Sequence, residues 1–289
     1  MPASAKMQSY DSKKTRQPIV DGLFYPRVQK ELKREVDSLL GSACPSALDA
    51  SALITPHAAF QYARDLLAIA YKAASARHID NIILLAPVHR EPSHVLYLPN
   101  VQAFETPLGA VGINQKACEK LLLGNFGFSH GDEAFEEEHS IEVQLPFIQR
   151  LFPDVALLPI LVGDVPVRDI EGINLALWDA LASDLENTLV IATTNMGSYR
   201  TAEPIESFEN RRLSLLELIK KGDARKIIEA RRSGLTAACG AQCVAIVLSL
   251  INGKHRVEIL KEGSSESGGR FRDAVVHYSS ISFHRETVH

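Results

Sequence analysis

Leu53-Ile54-Thr55-Pro56-His57, Ile82-Ile83-Leu84-Leu85-Ala86-Pro87-Val88-His89 and Leu189-Val190-Ile191-Ala192-Thr193-Thr194-Asn195 share one pattern: a short apolar run ending in a polar, reactive cluster. Short apolar runs of this kind read as buried parallel strands. In open α/β sheets, ligands bind in the crevice beyond the carboxyl ends of the strands. Two imidazoles brought there by separate strands make a candidate metal or acid–base site. One strand-end histidine would mean little; two on core strands joined by a helix carry a hypothesis.

Working outward, the spacing predicts a helix from Gln61 to Ala76 between the first two strands, which makes a βαβ unit. Upstream, Leu32, Val36, Leu39 and Leu40 recur at helical spacing and predict a helix over 28–40, behind the Gly22-Leu23-Phe24-Tyr25-Pro26 turn. Residues 94–113 read as two short strands with turns, 115–123 as a helix and Asp132 to Glu138 as an acidic loop. His139-Ser140 then opens a helix over 141–152, followed by strand 155–161, helix 167–183 and strand 188–193. Beyond residue 200, helices are expected at 205–221, 223–232 and 239–252. Strands 256–261 and 274–283 flank Gly263 to Gly269, a flexible hairpin-type loop by composition. With no internal repeat and no linker, the expectation is a disordered leader, 1–16, and a single α/β domain, 17–289. Its sheet should be mixed, mainly parallel and flanked by helices.

Composition bounds the function. The 289 residues are 46% hydrophobic and 23% charged, as in an ordinary globular protein with a sizeable core. Net charge is -4 with a pI near 6.2, so no basic excess exists to hold nucleic acid or an anionic membrane. The pairs Arg211-Arg212, Lys220-Lys221 and Arg231-Arg232 fall on predicted helices as solvated faces. No stretch approaches the roughly 20 apolar residues of a membrane span, and the first sixteen residues lack the apolar block of a signal peptide. Four cysteines in this length do not make a disulfide scaffold; the reducing cytoplasm is the expected compartment.

Each reactive side chain has a plain reading beside the sharp one. His57 and His89 could be structural histidines bonded to backbone at strand ends, but two on one edge of a sheet raise the functional reading. His94 starts a short strand and is read as structural. Glu138-His139-Ser140-Ile141-Glu142 sets an acid, an imidazole and a hydroxyl at a helix start, where neutral imidazole is favoured. Ser140 may be read as only an N-cap; the sharper reading puts His139 in the same cleft as His57, with Glu142 fixing the tautomer of a site imidazole. Cys239, at the head of a predicted helix, should have a lowered pKa and be a metal ligand or nucleophile. Cys243, one turn deeper, reads as a small buried hydrophobe, and Cys44 and Cys118 carry no supporting context. No nucleophile elbow, P-loop or dinucleotide fingerprint is present, and Gly268-Gly269 lacks the lysine and helix of a phosphate loop. Two histidines and a cysteine would suit iron, copper or zinc.

The motifs resemble the Memo-like family, also called the AmmeMemoRadiSam system protein B family. The likeness runs through Arg16 to Val20, Gly22 to Pro26, Pro56 to Phe60, Ala86 to His89 and Glu105 to Gly109. It continues through Glu138 to Phe147, Pro159 to Gly163, Cys239-Gly240 and Val275 to Tyr278. The resemblance implies a fold like that of class III extradiol dioxygenases, which hold non-haem iron. It implies His57, His89 and Cys239 as ligands of a metal, iron or copper first and zinc as an option. The family also places an aspartate and a histidine in a Ser-Ser-Asp-x-x-His-Tyr segment, which here reads Thr193-Thr194-Asn195-Met196-Gly197-Ser198-Tyr199. Asn195 cannot ionise and Ser198 cannot shuttle protons near neutrality; Ala59 and Phe60 also depart from the family's His-Ala-Gly-Tyr. His139, Asn195 and Ser198 are therefore the candidate catalytic positions, with His139 able to substitute as a base. Two functions follow: a metal-dependent redox or oxygenase-like enzyme acting on a small molecule, or a non-catalytic metal- or partner-binding protein that has lost the acid–base pair of the fold.

Overall fold

The three quoted runs lie side by side in a computed structural model that describes residues 14–89, 95–124, 126–181, 186–200, 205–251, 255–268 and 274–286. In chain order its elements begin β1 (Thr15–Arg16), α1 (Gln29–Ser42), β2 (Ala52–Thr55), α2 (Phe60–Lys72), β3 (Asn81–Pro87), β4 (Leu96–Leu98), β5 (Ala103–Thr106) and β6 (Gly109–Gly112). There follow α3 (Gln115–Leu123), β7 (Phe128–His130), α4 (Asp132–Glu136), α5 (Leu145–Leu151), β8 (Ala156–Val162), α6 (Ile170–Ala180) and β9 (Thr188–Thr193). The chain closes with β10 (Gly197–Arg200), α7 (Ile205–Lys221), α8 (Ala224–Arg232), α9 (Ala241–Leu250), β11 (His255–Ser264) and β12 (Ala274–Arg285).

Every residue of β2, β3 and β9 is buried, as strands covered on both faces must be. They belong to a mixed sheet ordered β10-β12-β2-β9-β3-β8-β4-β7, with β11 on β12. β2, β9, β3 and β8 run parallel, and β10, β11 and β12 pair antiparallel. β9 thus inserts between the two strands of the expected βαβ unit. Thr55 stands opposite Thr193 and Leu85 opposite Ala192, so the three carboxyl ends are nearly level. Helices cover the sheet in two groups: α1, α2 and α5 pack together, as do α3, α6, α8 and α9. One core runs from Val20 to Phe283. No helix among the described residues is long and apolar enough to cross a membrane.

Several expected boundaries shift for physical reasons. Thr15 and Arg16, expected in the disordered leader, pair with Ala103 and Phe104 of β5 in a small sheet, because Arg16 is anchored by buried partners. The helix over 141–152 is broken into a 3-10 turn at Glu142–Gln144 and α5, with Pro146 in the first turn of α5, where its missing N–H costs nothing. The acidic loop contains α4, and 95–113 holds three strands; His94 lies outside the described residues. The supposed hairpin loop is strand through Ser264 and then a 3-10 turn, Ser265–Gly268, since pairing of Ser264 with His277 overrides a Gly/Ser composition. Cys239 precedes α9, and Gly240 is its N-cap residue.

Candidate metal centre

His57, Asn195 and His89 each lie two residues beyond the end of a core strand, β2, β9 and β3 in turn. The level strand ends therefore bring the two imidazoles together, with ring centroids 5.1 Å apart at 75°. Cys239 arrives from the turn before α9, its Sγ 3.3 Å from His57 Nε2. The ligand atoms of His57, His89 and Cys239 all lie within 4.8 Å of one another. Bonds of about 2.0–2.3 Å in a tetrahedral site put ligand atoms roughly 3.3–3.8 Å apart, so the donors need only close slightly on an ion.

Gly240 makes the approach of Cys239 possible. A Cβ there would lie 2.3 Å from Thr193 O and 2.8 Å from Thr194 Cβ. Its N–H donates to Thr194 Oγ1 at 2.9 Å, which presses the turn onto the end of β9.

Outer partners set the tautomers. The Thr193 hydroxyl donates its only proton to Thr55 O at 3.0 Å and so must accept from His57 Nδ1, also at 3.0 Å. That turns His57 Nε2 toward Cys239. His89 Nδ1 lies 2.9 Å from Glu138 Oε2, and its N–H donates there. Glu138 Oε1 accepts from Ser140 N at 2.9 Å. Both rings thus turn Nε2 inward, as metal-ligating histidines with fixed second nitrogens do. Beneath them, fully buried Gln144 donates to Pro56 O at 2.8 Å and Thr193 Oγ1 at 3.3 Å, and accepts from Thr55 Oγ1 at 3.1 Å and Tyr71 Oη at 3.0 Å. All four of its hydrogen-bonding positions are used.

The electrostatics agree. Burial works against a charged Cys239, yet His57, His89 and the Asn195 N–H hold its thiol well below the ordinary value. Hydrogen bonds to Cys239 and to Glu138 raise His89 to about 10. Burial opposes ionisation of Glu138, but His89 and Ser140 carry its carboxyl down to about 2. Without metal the pair is a thiolate beside an imidazolium, and a metal ion would take the place of the proton. His139 goes the other way: burial lowers it to about 4, so its ring is neutral.

The His139 ring sits 5.9 Å from that of His57 and stacks at 5.5 Å and 12° on that of His89, with Phe24 edge-on at 4.9 Å. It lies in the same cleft as His57. Asn195 joins the centre through its main chain, donating to Cys239 Sγ at 3.3 Å. Ser198 does not converge; it is exposed on β10, opposite Val276. Glu142 does not orient a site imidazole. It is wholly buried and accepts from Arg16, Ile19 N, Val20 N and Tyr25 Oη, while Glu138, four residues earlier, serves the imidazole.

A profile described as Memo-like protein matches residues 16–282. The chain belongs to the Memo-like family. It is similar to a MEMO1 family protein of Pyrobaculum arsenaticum, 29% identical over 283 residues that cover 94% of this chain and 100% of that one. Another of Thermotoga sp. strain RQ2 is 30% identical over 285 residues, covering 93% and 99%. An uncharacterized protein of Escherichia coli K12, known from a crystal structure, is similar with a TM-score of 0.48 and 11% identity over 80% of this chain and 98% of that one.

Two other constellations in this Memo-like chain invite chemistry and are weaker. His89, Glu138 and His139 also cluster within 4.8 Å, but both Glu138 oxygens are already accepting hydrogen bonds. Ser282, His284 and Asp49 form a chain with contacts of 2.9 and 2.7 Å, the spacing of a hydrolytic triad. Ser282 is 0% exposed while Asp49 faces solvent, the reverse of what attack on a substrate requires.

Proposed function

We propose that this Memo-like protein holds a redox-active metal, iron or copper, on His57, His89 and Cys239. The single observation that supports it is the inward-facing pair of Nε2 atoms beside a stabilised thiolate. A donor set of two imidazoles and one thiolate, with no carboxylate, suits iron, copper or zinc and disfavours calcium or magnesium. Such an ion, when bound, supplies one-electron chemistry and polarises a ligand. The chain's own residues supply the rest. Thr193 and Glu138 orient the rings, Gln144 locks the floor, and neutral His139 can accept a proton from a bound small molecule. A cavity of about 550 Å³ opens beside His89 and His139, lined also by Glu133, Glu136, Glu137 and Glu138, and gives such a molecule room. The four cysteines are all unpaired, which suits a reducing compartment such as the cytoplasm.

A second reading, a metal- or partner-binding protein without catalysis, is favoured by one observation. The position matched to the family's histidine, Ser198, is exposed, and Asn195 offers an amide where an acid is expected. The test is metal analysis of untagged protein purified without chelator. About one ion per chain is expected in the wild type, with most of it lost in His57→Ala, His89→Ala and Cys239→Ala. Stoichiometric metal in His57→Ala would overturn the ligand assignment. Catechol turnover by metal-loaded protein would decide between the readings.

A further inference from the structure

We propose that Arg16 is a positioning residue for this centre, fixing the main chain at Glu138 so that the Glu138 carboxylate meets His89; the proposal rests on His57, His89 and Cys239 being metal ligands. The Arg16 side chain is 8% exposed. Its three nitrogens all serve one short segment. Nε donates to Phe135 O at 2.8 Å, Nη2 to Glu138 O at 2.9 Å and Nη1 to Glu142 Oε2 at 2.8 Å. A planar guanidinium holds three acceptors in one fixed fork, which an ammonium cannot do.

α4 stops at Glu136 and the 3-10 turn begins at Glu142, so the residues bearing Glu138 and His139 lie between two helical pieces. The carbonyl of Glu138 is gripped by Arg16, while its carboxylate reaches His89 Nδ1 at 2.9 Å. One residue thus links the guanidinium to the ring. The chain just after Arg16 is tied to the same segment: the Glu142 carboxylate takes Ile19 N and Val20 N at 3.0 Å and Tyr25 Oη at 2.7 Å. The fork is aimed at the segment that bears Glu138 and His139.

The test uses the full chain and Co²⁺ as probe, reading affinity by chelator competition and ligand geometry by the visible absorption spectrum. Arg16→Met should bind Co²⁺ about tenfold more weakly, within the range for loss of an outer partner, and its spectrum should shift. The double variant Arg16→Met/Glu138→Gln should be no weaker than Glu138→Gln alone, since both act on the same ring. Arg16→Lys keeps the charge opposite Glu142, and so the fold, and should still lose affinity severalfold. Wild-type affinity and spectrum in Arg16→Lys or Arg16→Met, with only the melting temperature lowered, would overturn the proposal. So would losses that multiply in the double variant. His57→Ala separates the two failures. Co²⁺ retained by His57→Ala sinks the metal reading itself, whereas loss there beside wild-type binding by both Arg16 variants sinks the Arg16 proposal alone.

Discussion

Replacing Thr193 by valine removes one oxygen and keeps the shape, and with that oxygen go the bonds to His57 Nδ1, Thr55 O and Gln144 Nε2. In the wild type, Thr193 Oγ1 accepts from His57 Nδ1 at 3.0 Å in a fully buried setting. Valine leaves that N–H without its acceptor, and an unsatisfied buried donor costs about 1–3 kcal/mol. At about 2–4 °C per kcal/mol, as for chains slightly shorter than this one, the metal-free melting temperature should fall by roughly 2–12 °C. The ring also loses the constraint on its tautomer, and loss of such an outer partner weakens metal binding about 10–100-fold, or about 1.4–2.8 kcal/mol. Thr55→Val is the control. Thr55 Oγ1 donates to Gln144 Oε1 at 3.1 Å, in the same network but not against the ring. It should cost stability and leave affinity within about threefold, a difference of less than 1 kcal/mol. Affinities would be measured by competition with a chromophoric chelator, and melting by calorimetry of metal-free protein. Wild-type affinity in Thr193→Val, or an equal loss in Thr55→Val, would refute the argument that Thr193 sets the His57 tautomer.

Two further outcomes follow from the site. His89, raised to about 10 in the metal-free protein, is protonated at pH 7 and must lose that proton to bind metal, whereas Cys239 has already lost its own. Binding at pH 7 should release the His89 proton, and affinity should rise with pH until about 10 and then level; calorimetry in buffers of different ionisation enthalpy reads the release, and an affinity that is flat between pH 7 and 10 would contradict a protonated His89. Gly240→Ala puts a methyl 2.3 Å from Thr193 O and should lower both melting temperature and metal affinity, while Gly41→Ala, which meets nothing within 4 Å inside α1, should be stabilising by up to about 1 kcal/mol. An unshifted Gly240→Ala variant would show that Cys239 is not held by that close approach.

Much of the fold was legible because the decisive strands are apolar along their whole length. β2, β3 and β9 stand out as runs, and their ends name His57, His89 and Asn195. The order β2-β9-β3 was not legible, since pairing between segments more than a hundred residues apart leaves no local signal. Thr15 and Arg16 read as leader because a two-residue strand has no periodicity; what orders it is a buried ion pair with Glu142. Glu138 and Glu142 exchanged roles for a related reason. A continuous helix opened by His139 would put Glu142 about one turn into it, near the imidazoles, but the segment bends at its 3-10 turn and the two carboxylates serve different partners. Gln144 was missed although a signal existed: an amide between Val143 and Leu145, in a run otherwise apolar, has to find four hydrogen bonds inside the core.

Burial is uneven across this centre. His57 is 1% exposed and its partners Thr193 and Gln144 are 0% exposed, whereas Cys239 and Asn195 are half-buried and His89 is exposed, held from behind by Glu138, which is 7% exposed. Asn195 serves the thiolate with its main-chain N–H, a bond that any residue but proline can make there, so the side chain at this position is free to vary without disturbing the bond to Cys239. A carboxylate beside Cys239 would also repel the thiolate; like charges about 4 Å apart at an effective dielectric near 20 interact by about 4 kcal/mol. The amide therefore favours the deprotonated sulfur that a soft ion needs, at the cost of a base beside it. An amide at this position and a candidate donor set of two imidazoles and a thiolate are then compatible within one site, and the neutral ring of His139 packs beside them.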